Sequence, residues 1–188
     1  MSYFSEDEKI NLLLHARAVI TSSLNNDISS KSLEFVTSKL KEKRGCFVTL
    51  HKKGELRGCI GTIEPFKPLV ECIEENAFNA AFQDPRFSPL SKNELEEIDI
   101  EVSVLTVPKK LEFSGGEDLK QKLIPKKHGV ILSYGFHRAT FLPQVWEQLP
   151  ACDDFLGHLC LKAGLERNAW KNMNISVEVY EAEYFSEK

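Results

Sequence analysis

Between Gly45 and Ile63 the chain alternates, turns and alternates again, and that pattern commits it to an antiparallel sheet. Cys46-Phe47-Val48-Thr49-Leu50 reads as a strand, His51-Lys52-Lys53-Gly54 as a turn, and residues 55–63 as the returning strand. Gly54 supplies the positive φ that tight hairpin turns need. The returning strand, Glu55-Leu56-Arg57-Gly58-Cys59-Ile60-Gly61-Thr62, packs a cation, a thiol and two glycines into one short apolar segment. Alternation places Arg57, Cys59 and Gly61 on one face and Leu56, Gly58, Ile60 and Thr62 on the other. Glycine within a strand costs stability and marks a bulge or a close approach by a ligand or another backbone. A functional site is expected here.

Ahead of the hairpin, Ser5 with Glu8 forms a capping box, and Ile10, Leu13, Leu14, Arg17, Ala18 and Leu24 recur at helical spacing. They predict a helix over 7–24 whose apolar face packs on a sheet, ended by Asn25-Asn26-Asp27. Leu33, Val36 and Leu40 suggest a short second helix. After the hairpin, Pro68 starts a helix that Leu69, Cys72, Ile73, Ala77, Ala80 and Ala81 carry to about residue 82. Asp84-Pro85 stops it, because a residue before proline is pushed out of helical space. Ser91 caps a short turn containing Glu94. Residues 98–105 alternate as a half-buried strand. Residues 117–124 read as a short helix, and residues 130–134 and 138–142 as a second hairpin turning at Gly135. Pro143 opens a very short helix, Asp153 or Asp154 a clear one that Gly164 stops, and residues 175–182 form a closing strand. Two hairpins and isolated strands without strict β-α-β alternation give an α+β fold, a mostly antiparallel sheet with flanking helices. The length, 188 residues, suits one domain over 1–188 with two unequal lobes.

The chemistry is narrowed as much by what is missing as by what is present. A net charge of −4 is the wrong sign for a nucleic-acid footprint. No apolar run approaches a membrane span, and the acidic N-terminus does not read as a secretory signal, so a cytoplasmic protein is expected. Five cysteines without a C-x-x-C pair, and histidines without metal spacing, predict reduced and mostly buried thiols and no metal or cofactor site. Phosphate loops, dinucleotide fingerprints and nucleophile elbows are absent from the sequence.

Cys59 is the candidate nucleophile, with Arg57 as the neighbouring cation that would stabilise a thiolate. The alternative is a strand cysteine acting as a small hydrophobe beside an arginine paired to a carboxylate. His128, preceding Gly129 at the mouth of a strand, is the candidate acid/base, or else a surface histidine after two lysines. Asp84 with Arg86, and Arg138 with Thr140, suggest anion recognition, since guanidinium binds carboxylate or phosphate in bidentate fashion. Internal pairing of these arginines with Glu101 or Asp84 is the competing reading. Phe87, Phe141 and Trp146 read as core or cleft wall.

Phe47-Val48-Thr49-Leu50, Leu56-Arg57-Gly58-Cys59-Ile60-Gly61-Thr62, Ala81-Phe82-Gln83-Asp84-Pro85-Arg86-Phe87 and Ile100-Glu101-Val102-Ser103-Val104-Leu105 together resemble the AMMECR domain family. So do His128-Gly129, Thr140-Phe141-Leu142-Pro143-Gln144-Val145-Trp146 and Leu159-Cys160-Leu161-Lys162-Ala163-Gly164-Leu165. The family also supplies protein A of the AmmeMemoRadiSam system. The resemblance implies a two-lobed α+β fold with the 56–61 segment near a cleft, and links to a Memo-like protein and a radical-SAM enzyme. It brings no settled reaction. Ala139 departs from the family pattern, where glycine commonly precedes the Thr-Phe-Leu-Pro-Gln run. Two functional readings stand at this point. One is a thiol-dependent enzyme on a small anionic substrate, using Cys59, His128, Arg57 and Arg138. The other is a non-catalytic binding or scaffold module in which Gly58 and Gly61 permit close packing, with Arg57, Asp84, Arg86, Phe87, Arg138, Thr140 and Gln144 as contact residues.

Overall fold

The computed structural model describes residues 2–25, 37–172 and 174–187. The chain forms two compact units: Met1–Leu105 with Glu183–Lys188, and Thr106–Ala182. Each has its own four-stranded sheet and its own core. The paired strands below are antiparallel, so the architecture is α+β.

In the first unit the hairpin forms as its sequence requires. Strands β1 (Cys46–Lys52) and β2 (Glu55–Thr62) meet at a two-residue turn, Lys53 at φ 54° and Gly54 at φ 82°. Two successive positive φ values match the right-handed strand twist, which is why glycine is needed there. The pairs Leu50–Gly58 and His51–Leu56 skip Arg57, so a bulge near the turn lies in β2 at that residue. Strand β3 (Ile98–Leu105) pairs with the other side of β1, and β8 (Ala182–Ser186) completes the order β2-β1-β3-β8. Helix α1 (Glu6–Asn25) begins at the predicted capping box, Ser5 and Glu8 bonding reciprocally at 3.0 and 3.2 Å. Its buried face differs from the predicted one. Leu12, Leu13, Ala16 and Ile20 turn inward, while Ile10 and Leu14 are exposed. Residues 12, 16 and 20 make a wholly buried i, i+4, i+8 row on a helix that packs against α2 (Leu69–Phe82) and β3. Of the suggested second helix, a 3-10 turn at Lys39–Lys41 is seen, and Leu33 and Val36 lie outside the described residues. Leu40, Val48, Leu50, Ile73, Ile100 and Val102 are fully buried in this core.

The second unit follows the order β4-β7-β5-β6. Strand β5 (Gly129–Tyr134) pairs with β6 (His137–Phe141) as the predicted second hairpin, and with β7 (Ser176–Tyr180) on its other side. Strand β4 (Lys109–Lys110) adds a two-residue edge. Helices α3 (Gly116–Lys122), α4 (Val145–Gln148), α5 (Cys152–Lys162) and α6 (Ala169–Asn172) complete the unit. Its core centres on Trp146, buried and stacked on Phe155 with ring centroids 3.7 Å apart. Among the described residues no helix is long and apolar enough to cross a membrane.

Candidate functional site

Strand β2 is the edge of its sheet, so one row of its main-chain groups has no strand to bond. The chain solves this at Cys59 with residues from the end of α2. The Asp84 carboxylate accepts the Cys59 N–H at 2.9 Å, and the Arg86 guanidinium donates to the Cys59 carbonyl at 3.1 Å. Asp84 and Arg86 also bind each other: Arg86 Nε donates to Oδ1 at 2.9 Å and Nη2 to Oδ2 at 2.7 Å, while the Arg86 N–H reaches Oδ1 at 3.1 Å. The pair serves in place of a missing strand. Asp84's side chain is 1% exposed, and the Arg86 guanidinium, with the Cys59 N–H, holds its carboxyl far below the usual carboxylate range. The Asp84-Pro85 break that stops α2 is therefore also what delivers this clamp.

Arg57 follows the second of the two sequence readings and pairs with a carboxylate. Its guanidinium makes a two-pronged pair with Glu94, at 3.0 and 3.1 Å, and donates to the Ser88 carbonyl at 3.0 Å. Phe87 lies beneath both guanidiniums, 5.9 Å from that of Arg57 and 5.5 Å from that of Arg86. Glu94 in turn closes a capping box with Ser91 and bonds Lys52 at 3.2 Å. Arg57 first, and the Ser91 N–H and Lys52 after it, hold the Glu94 carboxyl far below its ordinary range. The cation bonded to Cys59's own peptide group is thus Arg86, and Arg57 ties β2 to the loop after α2.

The two glycines of the strand make room for the protein's own atoms. A Cβ at Gly58 would strike the Ala80 carbonyl oxygen, so this position lets α2 lie against the strand. A Cβ at Gly61 would strike the ring of Phe47, its cross-strand partner. Cys59 lies between them, half-buried, and its sulfur accepts a hydrogen bond from the Thr49 hydroxyl at 3.2 Å. Thr49 is flanked on β3 by Glu101, so Cys59, Thr49 and Glu101 form one row across the sheet. Thr49 and Glu94 escaped the sequence reading as site residues. The register of the hairpin was a usable signal for the first; nothing local marked Glu94 as the partner of Arg57.

The remaining predicted residues lie in the second unit. His128 Nδ1 accepts the Ile124 N–H at 3.1 Å, and the His128 carbonyl accepts the Trp146 indole N–H at 2.7 Å. Burial, the leading cause, lowers the His128 pKa below its ordinary value. Arg138 on β6 lies 3.7 Å from Glu178 on β7. The Thr140 hydroxyl donates to the Val130 carbonyl at 3.0 Å and meets the Tyr180 hydroxyl at 3.0 Å, with Gly129 packed under the Tyr180 ring. Burial pushes the Tyr180 phenol up to about 12. Gln144 precedes α4, its side-chain oxygen buried and without a hydrogen-bond partner among the described residues.

The AMMECR1 family model matches residues 13–185, a span that includes the hairpin, the Asp84–Arg86 clamp and the second unit. The chain belongs to the AMMECR1 family. Among its relatives, Protein MJ0810 of Methanocaldococcus jannaschii is 40% identical over 92% of this chain and 87% of its own. Protein MK0488 of Methanopyrus kandleri is 47% identical over 81% and 75%. The crystal structure of the uncharacterized protein PH0010 from Pyrococcus horikoshii has the same fold, with a TM-score of 0.84 and 34% identity over 94% of this chain and 90% of that one.

Proposed function

We propose that this AMMECR1-family protein is a binding component of a modification pathway it shares with a Memo-like protein and a radical-SAM enzyme. The sheet face carrying Cys59, Thr49 and Glu101 is the surface the partner recognises. The observation that carries the reading is the engagement of the Arg86 guanidinium and of Arg57 Nε and Nη2 by the chain itself, Arg57 Nη1 being buried without a hydrogen-bond partner among the described residues. Arg57 binds Glu94, and Arg86 binds Asp84 and the Cys59 carbonyl. An anion-binding enzyme needs such donors aimed at its substrate; here they make the strand rigid, and a rigid surface loses little freedom on binding. The test is calorimetric titration against the purified Memo-like and radical-SAM proteins. Glu101→Lys alters the face without touching the clamp and is expected to weaken the complex about tenfold, about 1.4 kcal/mol. An absence of complex formation at micromolar concentration would overturn the reading. Charge reversal at Arg57 is a poorer probe, because it also places two carboxylates at the Glu94 site.

A second reading, a thiol-dependent enzyme on a small anionic substrate, is favoured by the Thr49 hydroxyl on the Cys59 sulfur and by the outer half of Arg86, whose side chain is 54% exposed. Cys59 is then the nucleophile and Arg86 the anion contact. Cys59→Ala abolishes turnover in this case with the fold intact. Undiminished turnover of Cys59→Ala would end it.

A further inference from the structure

Two cysteines outside the β2 site lie against each other. Cys46 opens β1, Cys72 lies near the start of α2, and both are buried, with their sulfurs 2.9 Å apart. One turn along α2, the buried Asn76 points its amide at the same spot. Its Nδ2 is 3.3 Å from the Cys46 carbonyl oxygen and 3.4 Å from each sulfur. The amide satisfies the Cys46 carbonyl and lies close enough to both sulfurs to donate to one that carries negative charge. The two thiols are also unequal. The Cys46 S–H hydrogen bond, outweighing burial, draws the Cys72 thiol below the ordinary thiol range, with Lys67 adding to the effect. Burial, with the Cys72 sulfur beside it, pushes Cys46 well up.

We propose that Cys46 and Cys72 form a peroxide-reactive dithiol that closes to a disulfide tying α2 to β1. The Cys72 thiolate attacks one oxygen of hydrogen peroxide. The O–O bond breaks, sulfur loses two electrons, and Cys72 sulfenic acid and hydroxide result. The Cys46 sulfur then attacks the Cys72 sulfur. The S–S bond forms, the S–O bond breaks, and the departing hydroxide takes up the Cys46 proton as water. Counted together, two thiols and one peroxide give one disulfide and two waters. The sulfurs must close by roughly 0.9 Å to reach bonding distance. Both sulfurs are enclosed, so a small oxidant such as peroxide reaches them more readily than a bulky disulfide does. The reaction is independent of Cys59 and of the binding role proposed above.

The test treats the reduced full chain with a few equivalents of hydrogen peroxide at pH 7, followed by intact-mass measurement, peptide mapping and thermal melting. The expected product has lost two hydrogens and retained no oxygen, maps to a Cys46–Cys72 cross-link, and melts roughly 5–15 °C higher. Dithiothreitol restores the starting mass and melting point. The same closure is expected in a Cys59→Ser background. Recovery of Cys46 and Cys72 as thiols while oxygen accumulates elsewhere would overturn the proposal. So would a cross-link that uses Cys59.

Discussion

Replacing Asp84 by asparagine separates a structural clamp from an incidental ion pair. The carboxylate is almost wholly enclosed and accepts four hydrogen bonds, from the Cys59 and Arg86 N–H groups and twice from the Arg86 guanidinium. An amide presents one acceptor oxygen, and its NH2 must face one pair of these donors. Arg86 is half-exposed and regains water when it loses its partner, so its share of the pair is worth about 1 kcal/mol or less. The two main-chain donors contribute about 1 kcal/mol each. The sum is roughly 2–3 kcal/mol, which lowers Tm by roughly 4–12 °C in a chain of this size. Thermal unfolding of both proteins at pH 7 measures it. The pH dependence supplies a sign. Because the folded-state pKa of Asp84 is depressed, its contribution is complete above about pH 4 and fades as pH falls through the folded value. The gap between wild type and variant therefore narrows on acidification. Equal Tm at pH 7, or a gap that widens toward low pH, would refute the clamp.

Three other outcomes follow from the geometry. Gly58→Ala sets a methyl against the Ala80 carbonyl and costs roughly 1–3 kcal/mol, read from urea midpoints. Cys59→Ala removes one half-buried sulfur and its bond from Thr49, a loss of about 1 kcal/mol that leaves the far-ultraviolet spectrum unchanged. For His128, whose folded pKa is lowered, stability is complete above the unfolded value of about 6.5 and falls as pH drops through the folded one. His128→Gln removes that slope, so melts of the two proteins between pH 7.5 and 5 converge toward acid.

Local rules made most of the fold legible. The Ser5–Glu8 capping box, the Gly54 turn and the Pro68 helix start each depend on a few neighbouring residues, and each forms in the structure as written. The facing of α1 was only partly legible: Leu13 is buried as its spacing predicts, but Ile10 and Leu14 satisfy helical spacing as well as Leu12, Ala16 and Ile20 do. The choice between those stripes is made by α2 and β3, far away in sequence. At the site, the sequence singled out Arg57, Cys59, Asp84 and Arg86, and the structure brings these four within one unit. Which cation goes with which acid was hidden, since Glu94 is 37 residues from Arg57. The contact between Cys46 and Cys72 was hidden for the same reason. Their separation of 26 residues matches no local motif, and only the packing of α2 on β1 reveals it. The short β4 and the terminal β8 were also missed, because neither carries a strand pattern apart from its partner.

The central claim is that the Cys59 face serves recognition and that its arginines are structural. Its most direct measurement is the affinity of the proposed Memo-like partner for wild type, Cys59→Ala and Glu101→Lys, by calorimetry at matched salt. The account predicts binding by Cys59→Ala within about threefold of wild type and a loss of about tenfold for Glu101→Lys. Unchanged binding by Glu101→Lys, together with turnover that vanishes in Cys59→Ala, would contradict it.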